Sequence, residues 1–375
     1  QERMVLAVER KHTKKTLEIC KKYNVEASIL GKFTNTKRLK VYYGKKLVAD
    51  LSMKFLHHGL PQRTMIGKKP AYRHPGNHEV GDRISSKKDS IALLQNDNVR
   101  EPRNEKEWTT IFKKVLSHGN VNSKEPIVRL YDHSVQGTND LQPYSGEKLD
   151  GPNDAVVLRP ILNKRYGMVL SHGINPILNR IDPYWGSIWA GVEALSNYIA
   201  VGGDIENASL INNYIWPFPD EESLWSLDRS VDAVVDIMKA FEIPVISGKD
   251  SLSSTYRKGN VVIKIPSVLC ISVYGRIPYA SKTVTADFKK ENSAICLVGS
   301  LDNESMGGSV YLDTNKLLGN KVPKVNLAEF RKIAKMLYQG IQSRKILSCH
   351  DVSEGGLITS IFEMCVGGDI GASLN

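Results

Sequence analysis

The sequence has no stretch approaching the ~20 consecutive apolar residues of a membrane span, and its start, Gln1-Glu2-Arg3-Met4-Val5, has no signal-peptide pattern. Neither a membrane partner nor a secreted protein is expected. Cysteine is scarce: Cys20, Cys270, Cys296, Cys349 and Cys365 are scattered, odd in number, and form no C-x-x-C pair. That spacing speaks against a disulfide framework and against a zinc site. The expectation is buried, reduced thiols in a cytoplasmic protein, with Cys270 and Cys296 inside apolar runs. There is no aromatic-interleaved RNA motif, no zinc finger, no helix-turn-helix signal, no short repeat and no low-complexity segment.

What is there is an ordinary globular composition, 41% hydrophobic and 24% charged. Its 375 residues suffice for two or three domains. Net charge is +11 but uneven: residues 1–125 hold 27 Lys and Arg against 13 Asp and Glu, an excess of 14, which leaves the remainder at −3. A basic first third raises the question of nucleic acid. Without a recognition motif it reads as a solvated face or as attraction for an anionic small substrate, so no nucleic-acid partner is expected.

Apolar periodicity divides the chain into four parts. Residues 1–58 carry strand-like runs at 4–8, 26–33, 38–43 and 46–51 and a helical pattern at 12–23; they are expected to be the C-terminal part of an α+β domain. Residues 59–125, with Pro61, Pro70, Pro75 and Pro102, are expected to be a linker followed by a helix near 105–117. Residues 126–290 mix β runs (Ala155–Leu158, Met168–Leu170, Val261–Ile265, Val268–Val273) with helices near 187–201 and 227–241. Residues 291–375 open on the apolar run 294–298, expected to be a buried strand, and continue with helices near 326–343 and 355–366. The first residues and the last, Gly371-Ala372-Ser373-Leu374-Asn375, are expected to be cut ends, which would make the chain a fragment.

Four clusters of carboxylates, amides and glycines carry the chemistry. Tyr131-Asp132-His133-Ser134-Val135-Gln136-Gly137 places an Asp after a β run, able to hold a cation or simply to form an Asx turn. Asp182-Pro183-Tyr184 leads into a helix where Glu193 and Asn197 stand one turn apart. Both are oxygen donors suited to Mg²⁺, or else an ordinary polar stripe on an apolar helix. Ser247-Gly248-Lys249-Asp250-Ser251 follows the apolar run 243–246 and offers close backbone approach, a point charge and hydroxyls to a phosphate. The Walker spacing is absent, and a polar strand-to-turn junction is the bland reading. Last, His350-Asp351-Val352-Ser353-Glu354-Gly355-Gly356-Leu357 places an Asp before a glycine-opened helix. Ser353 could equally be that helix's N-cap. Together the four describe a nucleotide site with Mg²⁺ and no Walker loop.

In order along the chain, these strings resemble phosphoribosylformylglycinamidine synthase. Gln1-Glu2-Arg3-Met4 is similar to the tail of its SESQERM motif. Tyr131-Asp132-His133 with Val135-Gln136-Gly137 is similar to YDHEVQG, Ile243–Leu252 to IPxISGKDSL, and His350–Leu357 to HDVSEGGL. Gly173-Ile174-Asn175-Pro176, Glu193-Ala194-x-x-Asn197 and Ala200-Val201-Gly202-Gly203 follow the family's order. The resemblance implies an α/β (α+β) chain of the aminoimidazole-ribonucleotide-synthetase-like duplicated fold. A barrel-forming domain would be followed by a second α/β domain, and the chain would hold the end of the first half and most of the second.

It further implies Mg²⁺ held by Asp132, Glu193, Asn197 and Asp351. ATP or ADP would meet Tyr131, Asn212, Gly248, Lys249 and Ser353, and formylglycinamide ribonucleotide would meet Gln1 and Ser251. Lys249 stands where the family's short form carries Asn, so it is expected to meet phosphate directly rather than metal. The family's catalytic His belongs to the missing first half, and no glutaminase triad is present. Hence no catalytic residue is expected in the chain, which alone would be inactive. Its partners would be that first half and a glutaminase domain or subunit supplying ammonia. The implied activity is ATP-dependent conversion of formylglycinamide ribonucleotide to the amidine, a carbon–nitrogen ligation with glutamine as amido donor in purine biosynthesis. A non-catalytic Mg-nucleotide-binding half, or another synthetase of the same fold, stand as alternatives.

Overall fold

The computed structural model describes residues 4–61, 63–70, 102–131, 133–302 and 304–374, which fall into two compact units, Gln1–Thr64 and Met65–Asn375. The first unit holds helix α1 (Thr13–Lys22), strands β1 (Arg38–Tyr43) and β2 (Lys46–Ser52), and helix α2 (Met53–His58). β1 and β2 form an antiparallel hairpin with an irregularity between Val41 and Tyr42, and Arg38 Nε donates to Asp50 at 2.6 Å. Residues 4–8 and 26–33, expected as strands, are not in a sheet. Alternation alone does not make a strand where no ladder partner satisfies the backbone.

The second unit is built on a six-stranded sheet of order β3-β6-β7-β12-β8-β9. Its strands are β3 (Asn139–Leu141), β6 (Val156–Leu158), β7 (Gly167–Ile174), β8 (Ala208–Ile215), β9 (Val245–Ser251) and β12 (Val268–Ile277). Two small antiparallel pairs stand apart from it, β4 (Tyr144–Ser145) with β5 (Gly151–Pro152) and β10 (Thr255–Lys258) with β11 (Val261–Lys264). Adjacent strands of the large sheet are antiparallel except β8 and β9, which are parallel. A parallel pair needs a crossover, and helix α7 (Glu221–Phe241) supplies it.

Helices α3 (Glu105–Leu116) and α4 (Glu125–Val128) precede the sheet. Between β7 and β8 come α5 (Pro176–Ile181) and α6 (Pro183–Ala200). Asp182 caps α6, its Oδ1 accepting the Tyr184 and Trp185 N–H groups at 3.0 Å each, and Pro183 suits the first helical position. α6 packs against β7, β12 and α7, so it is apolar nearly all round; Ile188, Ala194, Leu195, Tyr198 and Ile199 join Val169, Leu210, Ile271 and Val273 in the main core. After β12 come α8 (Val310–Thr314), α9 (Leu327–Gln342) and α10 (Gly356–Gly368).

The run 294–298 corrects an expectation. It is not a strand, and Ile295, Leu297 and Val298 are each more than two-fifths exposed. Cys296 is exposed too, not a buried thiol; the other four cysteines are half-buried, and all five are free. An apolar run becomes a buried strand only when a neighbouring ladder and a covering layer receive it. Among the described residues no strand pairs with this one. No described helix is long and apolar enough to cross a membrane.

Candidate functional site

The C-terminal end of β7 is where the carboxylates gather. Glu193, facing this strand from α6, accepts the Ile174 N–H at 2.7 Å through Oε2. One turn on, Asn197 donates its amide to the His172 carbonyl at 2.9 Å. Asn175 caps α5 through Oδ1 and donates from Nδ2 to Glu354 at 3.1 Å. Glu354 in turn shares a hydrogen bond with Glu193. The β7–α6 unit and the loop before α10 therefore meet carboxyl to carboxyl.

Burial and mutual repulsion set the electrostatics. Desolvation first, then the charge of Glu354, push the Glu193 carboxyl up to about 9, against the opposing bond from Ile174 N–H. Burial also raises Asp351 well above the carboxylate range, helped by the charge of Asp154 and opposed by His350. Glu354 is raised by burial, with hydrogen bonds from its own backbone, Glu193 and Asn175 pulling the other way. Three carboxyls pushed up together mark a pocket short of positive charge. An all-oxygen donor set of this kind suits a hard divalent cation, whose charge would reverse those shifts. The donor chemistry thus fits Mg²⁺, which Glu193, Asp351 and Glu354 would hold.

The loop that delivers Asp351 depends on Gly355. Its φ is +90°, and a Cβ there would lie 2.5 Å from Thr359 Oγ1 and 2.9 Å from Thr359 Cβ. Thr359 cannot turn aside, because its hydroxyl donates to the Gly355 carbonyl at 2.9 Å. Gly355 is also the residue that opens α10, with no side-chain cap, so Ser353 is not the N-cap. Ser353 instead accepts the Gly356 N–H at its carbonyl, at 3.0 Å.

A second set of expected residues lies on the sheet's far edge. The Ser-Gly-Lys-Asp-Ser string does not turn at Gly248 but continues as β9, where Asn212 pairs with Gly248 and Asn213 with Lys249. A Cβ on Gly248 would sit 2.0 Å from Asn212 Oδ1, so only glycine leaves the amide where it is. Lys249 Nζ contacts Ser251 Oγ. Asn212, Gly248, Tyr214 and Asp250 line an open cavity of about 430 Å³, together with Val231, Val235 and Met238 of α7.

One cross-strand row ties the two sets together. Ile174 pairs with Cys270, Cys270 with Asn213, and Asn213 with Lys249. Three interstrand steps of ~4.8 Å put the carboxylate cluster and the Lys249 edge roughly 14 Å apart along the sheet. Of the remaining expected residues, Tyr131 is 71% exposed after α4. Asp132 and Gln1 lie outside the described residues. Sequence reading missed Asp154, Asn175, Glu354 and Glu363. Glu354 and Asn175 stood inside quoted strings and could have been found as polar residues flanking glycine or proline turns. Nothing in spacing tied Asp154 or Glu363 to the site.

Residues 290–375 match the family described as AIR synthase related protein, C-terminal domain. Across the whole chain the matches are to proteins named phosphoribosylformylglycinamidine synthase subunit PurL. The protein from Picrophilus torridus is 28% identical over 100% of this chain and 46% of its own length; that from Thermoplasma volcanium is 30% identical over 100% and 45%. The chain is a relative of the PurL subunits. It spans just under half the length of these relatives. Among solved structures, Thermotoga maritima PurL complexed with FGAR aligns with a TM-score of 0.54 at 16% identity, covering 94% of this chain and 45% of that one. The same protein complexed with ADP gives 0.51 at 16%, covering 90% and 44%. These structures share its fold, a mixed α/β arrangement of the AIR-synthase-related kind.

Proposed function

We propose that this chain is the Mg-nucleotide-binding part of a phosphoribosylformylglycinamidine synthase, a cytoplasmic ligase of purine biosynthesis. The observation that supports the reading most is the convergence of Glu193, Asp351 and Glu354 in one largely buried cluster, where burial raises all three carboxyls although His350 opposes the rise at Asp351 and Lys124 that at Glu354. Relatives named for this activity along the whole chain support it, as does a neighbour of like fold solved with FGAR and another with ADP.

In this reading Glu193, Asn197 and Asp351, with Asp132 and with Glu354 beside them, would hold Mg²⁺, while Tyr131 and Ser353 would meet the nucleotide. When bound, Mg²⁺ would neutralise the phosphate oxygens. Across the sheet, Asn212, Gly248 and Lys249 present an amide, an open backbone and an ammonium to ATP, and Ser251 with Gln1 meets formylglycinamide ribonucleotide. The overall reaction transfers the γ-phosphoryl group of ATP to the substrate's amide oxygen, releasing ADP. Ammonia from glutamine, delivered by a glutaminase partner, then adds to the amide carbon, and the bond from that carbon to the phosphate oxygen breaks, releasing inorganic phosphate and giving the amidine. This chain's carboxylates would hold the cation, and its amides and Lys249 would keep the phosphates in place while charge shifts. The catalytic His and the partner half-site would come from the first half of the synthetase.

A second reading, in which the nucleotide at the cluster is retained and never turned over, is favoured by the burial of the cluster and its roughly 14 Å separation from the Lys249 edge. Calorimetric titration with ADP, with and without Mg²⁺, tests binding: Mg-dependent affinity is expected, and metal-independent or absent binding would sink the site. Ammonia-dependent ADP release with formylglycinamide ribonucleotide then separates the readings. The chain alone should be inactive and regain turnover with the first-half polypeptide, whereas full turnover alone would refute the split site.

A further inference from the structure

Strand β8 carries two consecutive amides, and a strand turns consecutive side chains to opposite faces. Asn212 lies over Gly248, whose missing Cβ leaves it room. Asn213 therefore points the other way, onto the face of its registered neighbours, Cys270 on β12 and Lys249 on β9. Ser251, two residues beyond Lys249 on the same strand, shares that face. An amide, an ammonium and a hydroxyl thus stand side by side on β8 and β9.

The bonding among them is lopsided. Lys249 Nζ contacts Ser251 Oγ along its own strand. Asn213 Oδ1, one strand away, is buried and has no hydrogen-bond partner among the described residues. A bare buried amide oxygen loses a hydrogen bond's free energy or more, so a donor is wanted there. Lys249 is within reach: adjacent strands stand ~4.8 Å apart, and a four-carbon stem ending in three rotatable donors spans that step. Cys270, the neighbour on the other side, offers only a weak S–H donor.

We propose that Asn213 is a positioning residue for Lys249: its Oδ1 takes the ammonium across the ladder when Lys249 leaves Ser251 for phosphate. The inference rests on the reading above, which gives Ser251 to formylglycinamide ribonucleotide and Lys249 to phosphate, and deepens it. Without ligand the two side chains satisfy each other, and each must release the other before it can serve. Asn213 gives the ammonium a second seat. An amide suits that task because it is neutral. It fixes one of the three donors and leaves the charge and the other two for phosphate oxygens, where a carboxylate would cancel the charge.

The first test is kinetic, on the chain reconstituted with the first-half polypeptide and supplied with ATP, ammonia and formylglycinamide ribonucleotide. Asn213→Ala should lower turnover roughly tenfold, in line with loss of one hydrogen bond to a charged group. Combined with Lys249→Ala it should add nothing: the double variant should stay within about twofold of Lys249→Ala alone, because a residue acting only through Lys249 has nothing left to position. Losses that multiply, or no loss in Asn213→Ala, would overturn the proposal. Unaltered turnover in Lys249→Ala would instead bring down the parent reading of the β9 edge, and this inference with it. The second test reads geometry on the chain alone. Trace acylation by acetic anhydride, followed by mass spectrometry, gives the reactivity of Lys249 relative to exposed Lys46. In Asn213→Asp a carboxylate replaces the amide and should hold the ammonium protonated, slowing acylation of Lys249 by about threefold or more. Unchanged reactivity would show that the two side chains do not meet and would refute the proposal. Either test decides alone, so a variant lost to misfolding in one leaves the other standing.

Discussion

Glu193, Asp351 and Glu354 are held under protein, while Gly248 and Lys249 stand on an edge strand open to solvent. The proposal gives both regions a phosphate-bearing ligand, yet they are built on opposite terms. The cluster crowds like charges where water cannot relieve them, so its metal-free state is strained electrostatically and gains most from a cation. At the β9 edge nothing is strained. Its groups are spaced by a regular ladder, and exposed backbone and apolar neighbours such as Ile246, 60% exposed, await a covering surface. On the proposed reading, the first would be completed by an ion and the second by a protein surface. Four substitutions test that contrast.

The largest effect should come from acid–base linkage at the cluster, measured with chelator present. Glu193 is raised in the folded chain to about 9 from 4.5, so the folded state binds the extra proton between those values. Its contribution is whole below the unfolded pKa and is lost as pH rises through the folded one, at up to about 1.4 kcal/mol per pH unit. The thermal midpoint of the chelated chain should therefore fall between pH 6 and 8.5, and less steeply for Glu193→Gln. Mg²⁺ should restore it in the unsubstituted chain. Parallel curves for the two proteins would mean that the cluster is not strained.

Next in size is Asp351→Asn. The amide keeps the shape and removes the charge, so Mg-dependent ADP affinity should drop roughly 10–100-fold by calorimetry. The metal-free midpoint should hold or rise, because a buried repulsive charge has gone. A lower midpoint with unchanged affinity would make Asp351 structural.

Gly355→Ala probes the loop rather than the ligands. A left-handed conformation costs a non-glycine residue about 1–2 kcal/mol, and here the new Cβ also meets Thr359, 2.5 Å from its Oγ1. Urea unfolding should shift by about that much, with Mg-ADP affinity falling as the Asp351 loop relaxes. No shift would mean that the loop tolerates another path.

Much of this was legible in the sequence. The helices expected near 105–117, 187–201, 227–241 and 326–343 are present, because apolar periodicity is local, but two of them begin earlier than expected, at Pro183 and Glu221. The β7 and β12 strands were visible, though shorter than they are. Residues 4–8, 26–33 and 294–298 failed because strand identity depends on partners far away in sequence. Ser247–Ser251 looked like a turn from its composition, and only pairing with β8 makes it a strand. Helical spacing drew attention to Glu193 and Asn197 and glycine context to Asp351; the structure brings Glu193 and Asp351 to the cluster and bonds Asn197 to the His172 carbonyl. Asp154 was invisible, since it joins the cluster through a histidine 196 residues further on.

The smallest effect is expected at Lys249, and it is the one that separates the two regions most cleanly. Lys249 is exposed, and its contact is with Ser251 two residues away on the same strand. Exposed polar pairs of this kind contribute little, so Lys249→Ala should change unfolding free energy by no more than about 0.5 kcal/mol. It lies three strand steps, roughly 14 Å, from the cluster, beyond a Debye length at physiological salt. Mg-ADP affinity at the cluster should accordingly stay within about twofold. If Lys249 meets phosphate in the assembled enzyme, its loss should show only in turnover reconstituted with the first-half polypeptide, and should lower it by about tenfold or more, as removal of one positioned charge does. A variant that lost Mg-ADP affinity in the chain alone would show the edge and the cluster to be one site. Reconstituted turnover unchanged by Lys249→Ala would leave the edge with no part in the chemistry.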